Sequence, residues 1–257
     1  MICINEKIGP FKIKRIWFHQ ATQKRGCTLL RLMRIPEPSG ERPSRNELSY
    51  TVINSLTVDY DMLLSSARKT VRNEVRRAEK DGLEIIKYDS KELKKEPSFV
   101  DAFEQAYLEF AKKMNNEAVT SAYNRKKIDQ YIAANCFMLT YAEKGNLQVY
   151  HAYVYDENEV VLIYSVSDFR DDTVDRNLAG RANRYLHFRD MLLFKDLGLS
   201  YYDWGNISDP ENYNGIDIFK TSFGGTIEKR YNILLGGNLI GKAFVRIYDR
   251  IKGEAKK

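Results

Sequence analysis

The sequence predicts a mixed α/β fold, and three observations carry that expectation. Segments of helical period at Ser65 to Gly82, Ser98 to Met114, Arg125 to Asn135 and about Ala182 to Leu197 are separated by short β-rich runs. Three of those runs, Phe137 to Glu143, Leu147 to Tyr155 and Val160 to Ser167, follow one another with only Lys144-Gly145-Asn146 and Asp156-Glu157-Asn158 between them. That is the spacing of an antiparallel meander joined by hairpin turns. A helix then leads to a short aromatic strand, Tyr201 to Trp204, so that strands and helices share one core. With 257 residues and 43% hydrophobic content, the chain can bury one large core, or a major and a minor one.

In chain order, residues 1–60 alternate apolar runs (Ile13 to Phe18, Cys27 to Ile35, Tyr50 to Leu56) with a polar break, Pro36 to Arg45, that holds three prolines and a glycine. This reads as a short strand-rich segment with an exposed loop. A main domain is expected over 61–235, and a basic amphipathic helix over 236–257. No run of about eighteen apolar residues occurs and the first residues lack an apolar signal core, so a cytoplasmic location is expected. Cys3, Cys27 and Cys136 are widely spaced and lack His partners at ligand spacing. They read as free thiols, with neither a disulfide framework nor a metal site. The net charge of +6 comes with clustered cations, which favours an anionic partner or a solvated basic surface.

The helix expected from Ser65 or Ser66 to Gly82 puts Arg68, Arg72, Arg76 and Lys80 in one row, beside an apolar row of Val71, Val75 and Ala78. Such a row holds phosphates or simply faces solvent. Phe99, Phe103, Ala106, Tyr107 and Phe110 line one side of the next long helix and read as core. Near the C-terminus Leu239, Ile240, Ala243, Phe244, Ile247, Tyr248 and Ile251 share one helical face, with Lys242, Arg246, Arg250, Lys252, Lys256 and Lys257 around it. That helix either docks on its own domain or lies on an anionic bilayer.

The richest stretch is Tyr201 to Gly225, YYDWGNISDPENYNGIDIFKTSFGG. A strand breaks into a polar loop, then a short helix at Ile216 to Ser222 ends at Gly224-Gly225. Asp203-Trp204-Gly205, Gly215-Ile216, Phe219-Lys220 and Phe223-Gly224-Gly225 together resemble the YDxGG…GixxFKxxFGG signature of the Fem-type peptidoglycan bridge-forming aminoacyltransferases. Ser65 to Gly82 is similar to that family's basic helix, and Gly180 to His187 (GRANRYLH) to its GraNxxLhw helix start. The resemblance covers roughly residues 60–232. It implies a GNAT-like acyltransferase domain, an aminoacyl-tRNA donor and a cell-envelope acceptor such as a lipid-linked or nucleotide-linked peptidoglycan precursor. It also implies that Lys220 acts near the reacting carbonyl and phosphates. The chain departs from the family in having a reduced first half and no evident coiled-coil arm.

Asn177 to Ala182 (NLAGRA) further resembles the Q/R-x-x-G-x-G/A turn by which GNAT enzymes hold the coenzyme A pyrophosphate at a helix N-terminus, with Asn in place of Gln or Arg. Asn177, Gly180, Arg181 and Arg184 are the donor-binding candidates on that basis, and acyl-CoA is the alternative donor. Acyl transfer to an amine needs a held donor, a deprotonated amine and positive charge at the developing oxyanion. No GxSxG elbow or base-paired cysteine occurs, which favours direct attack in a ternary complex. Lys220 is the first candidate for the oxyanion. Asp203 and His187 are candidates for handling the amine proton, although Asp203 would equally cap a turn. His151 offers a second base, and either histidine would equally serve as a hydrogen-bonded structural residue. Arg68, Arg72, Trp204, Phe219 and Phe223 are the remaining substrate-binding candidates. Two other readings stand beside this one: an acyl-CoA-dependent N-acyltransferase acting on an amino sugar or other small amine, and a non-catalytic RNA or anionic-lipid binder.

Overall fold

The computed structural model describes residues 1–20, 24–114, 117–167 and 175–254; side chains are described for all of these except 117, 118 and 252–254. In chain order the elements are β1 (Ile2–Ile8), β2 (Phe11–Trp17), β3 (Leu29–Ile35), β4 (Ser44–Ser55), α1 (Tyr60–Ser66), α2 (Lys69–Ala78), β5 (Glu84–Asp89), α3 (Ser90–Lys95) and α4 (Ser98–Met114). They continue as α5 (Glu117–Ala122), α6 (Arg125–Ala133), β6 (Phe137–Lys144), β7 (Leu147–Tyr155), β8 (Glu159–Ser167), α7 (Arg176–Asp196), β9 (Tyr201–Ile207), α8 (Gly215–Thr221), β10 (Thr226–Gly236) and α9 (Leu239–Glu254). The fold class is the mixed α/β one expected. Contacts divide the chain into two compact units: Met1–Val52 with Asn206–Asn214 and Ile227–Lys257, and Ile53–Gly205 with Gly215–Thr226.

In the first unit the strands run in the order β1-β2-β3-β10-β4, with β1 and β10 antiparallel to β2 and β3 and with β2 parallel to β3. Alternation along the strands gives two faces. Ile16, Leu30, Leu32, Ile35, Ile233 and Leu235 bury one side, while Ile13, Leu29 and Leu234 meet Val245, Phe244 and Tyr248 of α9 on the other. The single apolar face expected for this helix is therefore corrected. Phe244 and Tyr248 turn to the sheet, whereas Leu239, Ile240, Ile247 and Ile251 are exposed. Lys256 and Lys257 lie outside the described residues, as does the side chain of Lys252.

In the second unit β5 to β8 form an antiparallel meander in the order β8-β7-β6-β5, and β9 joins β8 in parallel through Glu159↔Tyr201, Val160↔Tyr202 and Val161↔Asp203. Helix α7 is the crossover between them, and it seats Ala179, Ala182 and Leu186 on Ala142, Leu147 and Val149 of the meander. Two helix starts differ from expectation. Asp59, not Ser65 or Ser66, opens the helical segment by accepting from Met62 N at 2.7 Å. The chain then straightens at Ala67 and restarts as α2, so the expected single helix is two. Helix α7 begins at Arg176 rather than Ala182, because Asp175 caps it by accepting from Asn177 N at 2.8 Å. Among the described residues no helix is long and apolar enough to cross a membrane.

Candidate active site

The candidate site lies within the second unit and has three layers. The innermost is a buried polar chain. His151 and Tyr153 are two residues apart on β7 and so face the same way; Asn183, His187 and Asp190 share one face of α7. Asp190 Oδ2 accepts from Tyr153 Oη at 2.6 Å and lies 2.7 Å from His151 Nδ1, whose Nε2 is 2.9 Å from Asn183 Oδ1. Tyr153 Oη meets Tyr202 Oη of β9 at 2.7 Å, and Tyr202 Oη lies 2.9 Å from His187 Nδ1. The two imidazoles stack with centroids 3.8 Å apart. His151, Tyr153, His187, Asp190 and Tyr202 are all buried. Burial first, and the Asp190 charge second, push both tyrosine hydroxyls well up, so each keeps its proton. His187 is held well below the usual histidine range by burial, aided by His151, Lys220 and Arg184, and is neutral at pH 7. His151, His187 and Asp190 bring donor atoms within 4.8 Å of one another, but Asp190 Oδ2 already takes two hydrogen bonds and the stacked rings hold each other face to face. Hydrogen bonds and ring stacking join the trio in this structure.

The second layer is aromatic. The His187 ring packs against Trp204, Phe219 and Phe223 at centroid distances of 4.5, 5.6 and 5.8 Å. Trp204 Nε1 donates to Asn54 Oδ1 at 2.7 Å, and Asn54 Nδ2 donates to Phe223 O at 3.2 Å. The backbone of Arg68 donates to Ser222 O at 2.8 Å. The FKTSFGG segment is thus fastened to the end of β4 and to the α1–α2 break. Gly224 makes that seam possible, since its φ is +80° and a Cβ there would lie 2.7 Å from Ser66 O.

The third layer is cationic. Lys220, half-buried at the end of α8, brings Nζ to 3.9 Å from where a Cβ on Gly205 would sit. The Arg184 guanidinium stands over the Phe219 ring at 5.2 Å. Arg184 and the other donor-binding candidates line a cleft of 440 Å³, with Glu74 and Arg77 from α2 facing Arg176, Asn177, Gly180, Arg181 and Arg184 from α7. Glu74 Oε2 is 3.0 Å from Arg184 Nη1 yet out of line for a hydrogen bond, and Arg184 Nε is buried without a hydrogen-bond partner. Arg181 pairs with Asp81 at 2.8 Å.

The structure thus brings together Lys220, His187, His151, Arg184, Trp204, Phe219 and Phe223, with Asn177, Gly180 and Arg181 in the adjoining cleft. Gly180, five residues into α7, is not the N-terminal turn that the NLAGRA comparison called for. Asp203 is buried and accepts from Gly205 N at 2.8 Å, as a turn cap does. Arg68 is exposed at the head of α2, and Arg72 turns back to the carbonyls of Ser65 and Ala67. Sequence reasoning missed Asp190, Tyr153, Tyr202, Arg77 and Glu74. Burial pushes the Cys136 thiol up to about 12, away from nucleophile chemistry.

No protein-family model and no curated protein matches this chain. Among solved structures it is similar to FemX, at 10% identity and a TM-score of 0.59, with 89% of this chain and 83% of that one covered. It is also similar to the C-terminal domain of a putative lysylphosphatidylglycerol synthetase from Agrobacterium fabrum, at 13% identity and a TM-score of 0.56, over 95% of this chain and 83% of that one. At these identities the likeness is one of fold, and the mixed α/β architecture expected from the sequence is the architecture found.

Proposed function

We propose that this chain is an acyltransferase that moves an aminoacyl group from an aminoacyl-tRNA to an amine of a cell-envelope precursor. The observation that carries the reading is the convergence of a neutral, buried His187 with two cations, Lys220 and Arg184, beside an arginine-lined cleft. The Fem-type motif residues at Lys220 and the fold shared with FemX and with a putative lysylphosphatidylglycerol synthetase domain support it. The chemistry is assigned to 61–235, with 1–60 and 236–257 as accessory segments.

In the proposed reaction the amine nitrogen attacks the acyl carbonyl carbon and its electron pair moves onto oxygen, where Lys220 Nζ stabilises the oxyanion. His187 Nδ1 is engaged by Tyr202, so the amine proton passes to Nε2 and from there to the departing ester oxygen of the tRNA. An amide forms, an ester breaks, and the charge is restored. His187 is 1% exposed, so the acceptor reaches it by displacing the half-buried Phe219 ring. Arg77, Arg176, Arg181 and Arg184 hold donor phosphates. Asp203 serves by shaping the β9 turn, and Trp204 and Phe223 form the floor. A lipid-linked acceptor would bring the chain to the inner face of the membrane, where exposed Ile240, Ile247 and Ile251 of α9, flanked by Lys242, Arg246 and Arg250, would enter an anionic bilayer surface.

The cleft favours one second reading. Its arginines suit the pyrophosphate of an acyl-CoA, which would make the chain an N-acyltransferase for an amino sugar or other small amine, with a thiolate as leaving group. Parallel titrations with acetyl-CoA and with charged and uncharged tRNA separate the two. Preference for charged tRNA is the expected result, and saturable acetyl-CoA binding lost in Arg184→Ala would favour the second reading. Arg68 and Arg72 are proposed as outlying contacts for the tRNA backbone, which Arg68→Ala tests through the salt dependence of binding.

A further inference from the structure

We infer that Asp190, Tyr153 and Tyr202 form a directional hydrogen-bond chain that fixes His187 as the tautomer with its proton on Nδ1 and its lone pair on Nε2. The direction follows from counting protons. The Asp190 carboxylate is an acceptor only, so the Tyr153 hydroxyl, 2.6 Å away, spends its proton there. Tyr153 Oη is then the acceptor in its 2.7 Å contact with Tyr202 Oη, because two oxygens cannot lie that close without a proton between them. Tyr202 has one proton and has now used it. In its 2.9 Å contact with His187 Nδ1, the remaining donor is the imidazole. A neutral imidazole carries a single N–H, so Nε2 is left as the basic atom.

His151 supports the same end from the side. It anchors Asp190 through Nδ1, and its ring stacked at 3.8 Å holds the plane of His187. The reverse polarity would leave the Tyr153 and Tyr202 oxygens facing one another with no proton between them, or would move a proton onto a carboxylate that has two donors in place. Asp190, Tyr153 and Tyr202 are therefore positioning residues: they touch no reacting atom, and they decide which nitrogen receives the amine proton. Their importance to turnover rests on the acyl-transfer reading above. The tautomer itself does not.

Long-range ¹H–¹⁵N correlation spectra of the ¹⁵N-histidine-labelled protein read the tautomer without any substrate. The wild-type chain should show His187 neutral with Nδ1 protonated. Tyr153→Phe, two hydrogen bonds away, removes the acceptor of the Tyr202 proton, which then turns to His187 Nδ1 and drives the imidazole to the Nε2–H form. Turnover by that variant should fall on the order of 10²-fold in kcat, with KM unchanged, as befits a misdirected base rather than a lost binding contact. An Nε2–H signal for His187 in the wild-type protein would overturn the inference. So would a Tyr153→Phe protein that keeps native chemical shifts elsewhere and the Nδ1–H form at His187. If the tautomer flips but no donor supports transfer by the wild-type chain, the relay stands and the acyl-transfer reading falls.

Discussion

His187 gives the site its sharpest residue-scale consequence. Its pKa is depressed by burial first and then by the neighbouring His151, Lys220 and Arg184, so the folded state excludes a proton that the unfolded chain takes up below about pH 6.5. The stability due to the neutral ring is present above that pH and is lost as the pH falls from there towards the depressed folded value. Denaturant midpoints measured from about pH 8 to about pH 5 should decline, and His187→Gln should make the decline shallower by up to one proton. An unchanged slope in His187→Gln would show that the ring titrates normally. At Lys220 the expectation is kinetic: Lys220→Ala should lose roughly 10²- to 10³-fold in kcat, the loss typical of a deleted oxyanion donor, with its unfolding midpoint unmoved. Tyr202→Phe should cost about 1–3 kcal/mol of stability, because it strands His187 Nδ1 inside the core and takes from Tyr153 Oη one of its hydrogen bonds.

At the scale of elements, the FKTSFGG segment acts as a seam between α8, the α1–α2 break and the end of β4. Gly224→Ala should destabilise the fold by roughly 1–3 kcal/mol, since it sets a Cβ against the Ser66 carbonyl in a backbone region that L side chains avoid. Gly215→Ala, where a Cβ meets nothing within 4 Å, should be neutral or slightly stabilising; equal losses in the two would refute the seam. Much of this was legible in the sequence. Turn dipeptides placed the β6–β8 meander, and the Asp203 and Phe219-Lys220 motifs placed β9 and α8. What escaped was long-range or locally capped. Asp59 and Asp175 start their helices earlier than the serines or the glycine suggested, and the capping box Asp89-x-x-Glu92 of α3 was there to be read. The relay pairs β7, α7 and β9, so no local pattern declares it; the Asn183, His187 and Asp190 spacing on one helix face was its single trace. Helix α9 shows why a helical wheel alone misleads: the sheet accepts Phe244 and Tyr248 but leaves Ile247 and Ile251 exposed.

For the molecule as a whole, a net charge of +6 and an arginine-lined cleft suit a polyanionic donor, whose binding should weaken steeply as salt rises. The exposed stripe on α9 should carry the chain onto vesicles that contain anionic lipid and not onto neutral ones, and Ile247→Asp should reduce sedimentation with the anionic vesicles severalfold. Equal recovery with both vesicle types would remove the bilayer from the account. The central claim is acyl transfer to an amine at His187 and Lys220, and it is tested most directly by single-turnover transfer of a labelled aminoacyl group from a charged tRNA pool to cell-envelope precursors. Labelled acetyl-CoA run in parallel addresses the second donor. Amide-linked label from charged tRNA is expected with the wild-type chain, and a loss on the order of 10²-fold in both His187→Gln and Lys220→Ala with the fold retained. Undiminished transfer by both variants, or no transfer from either donor by the wild-type chain, would contradict the claim.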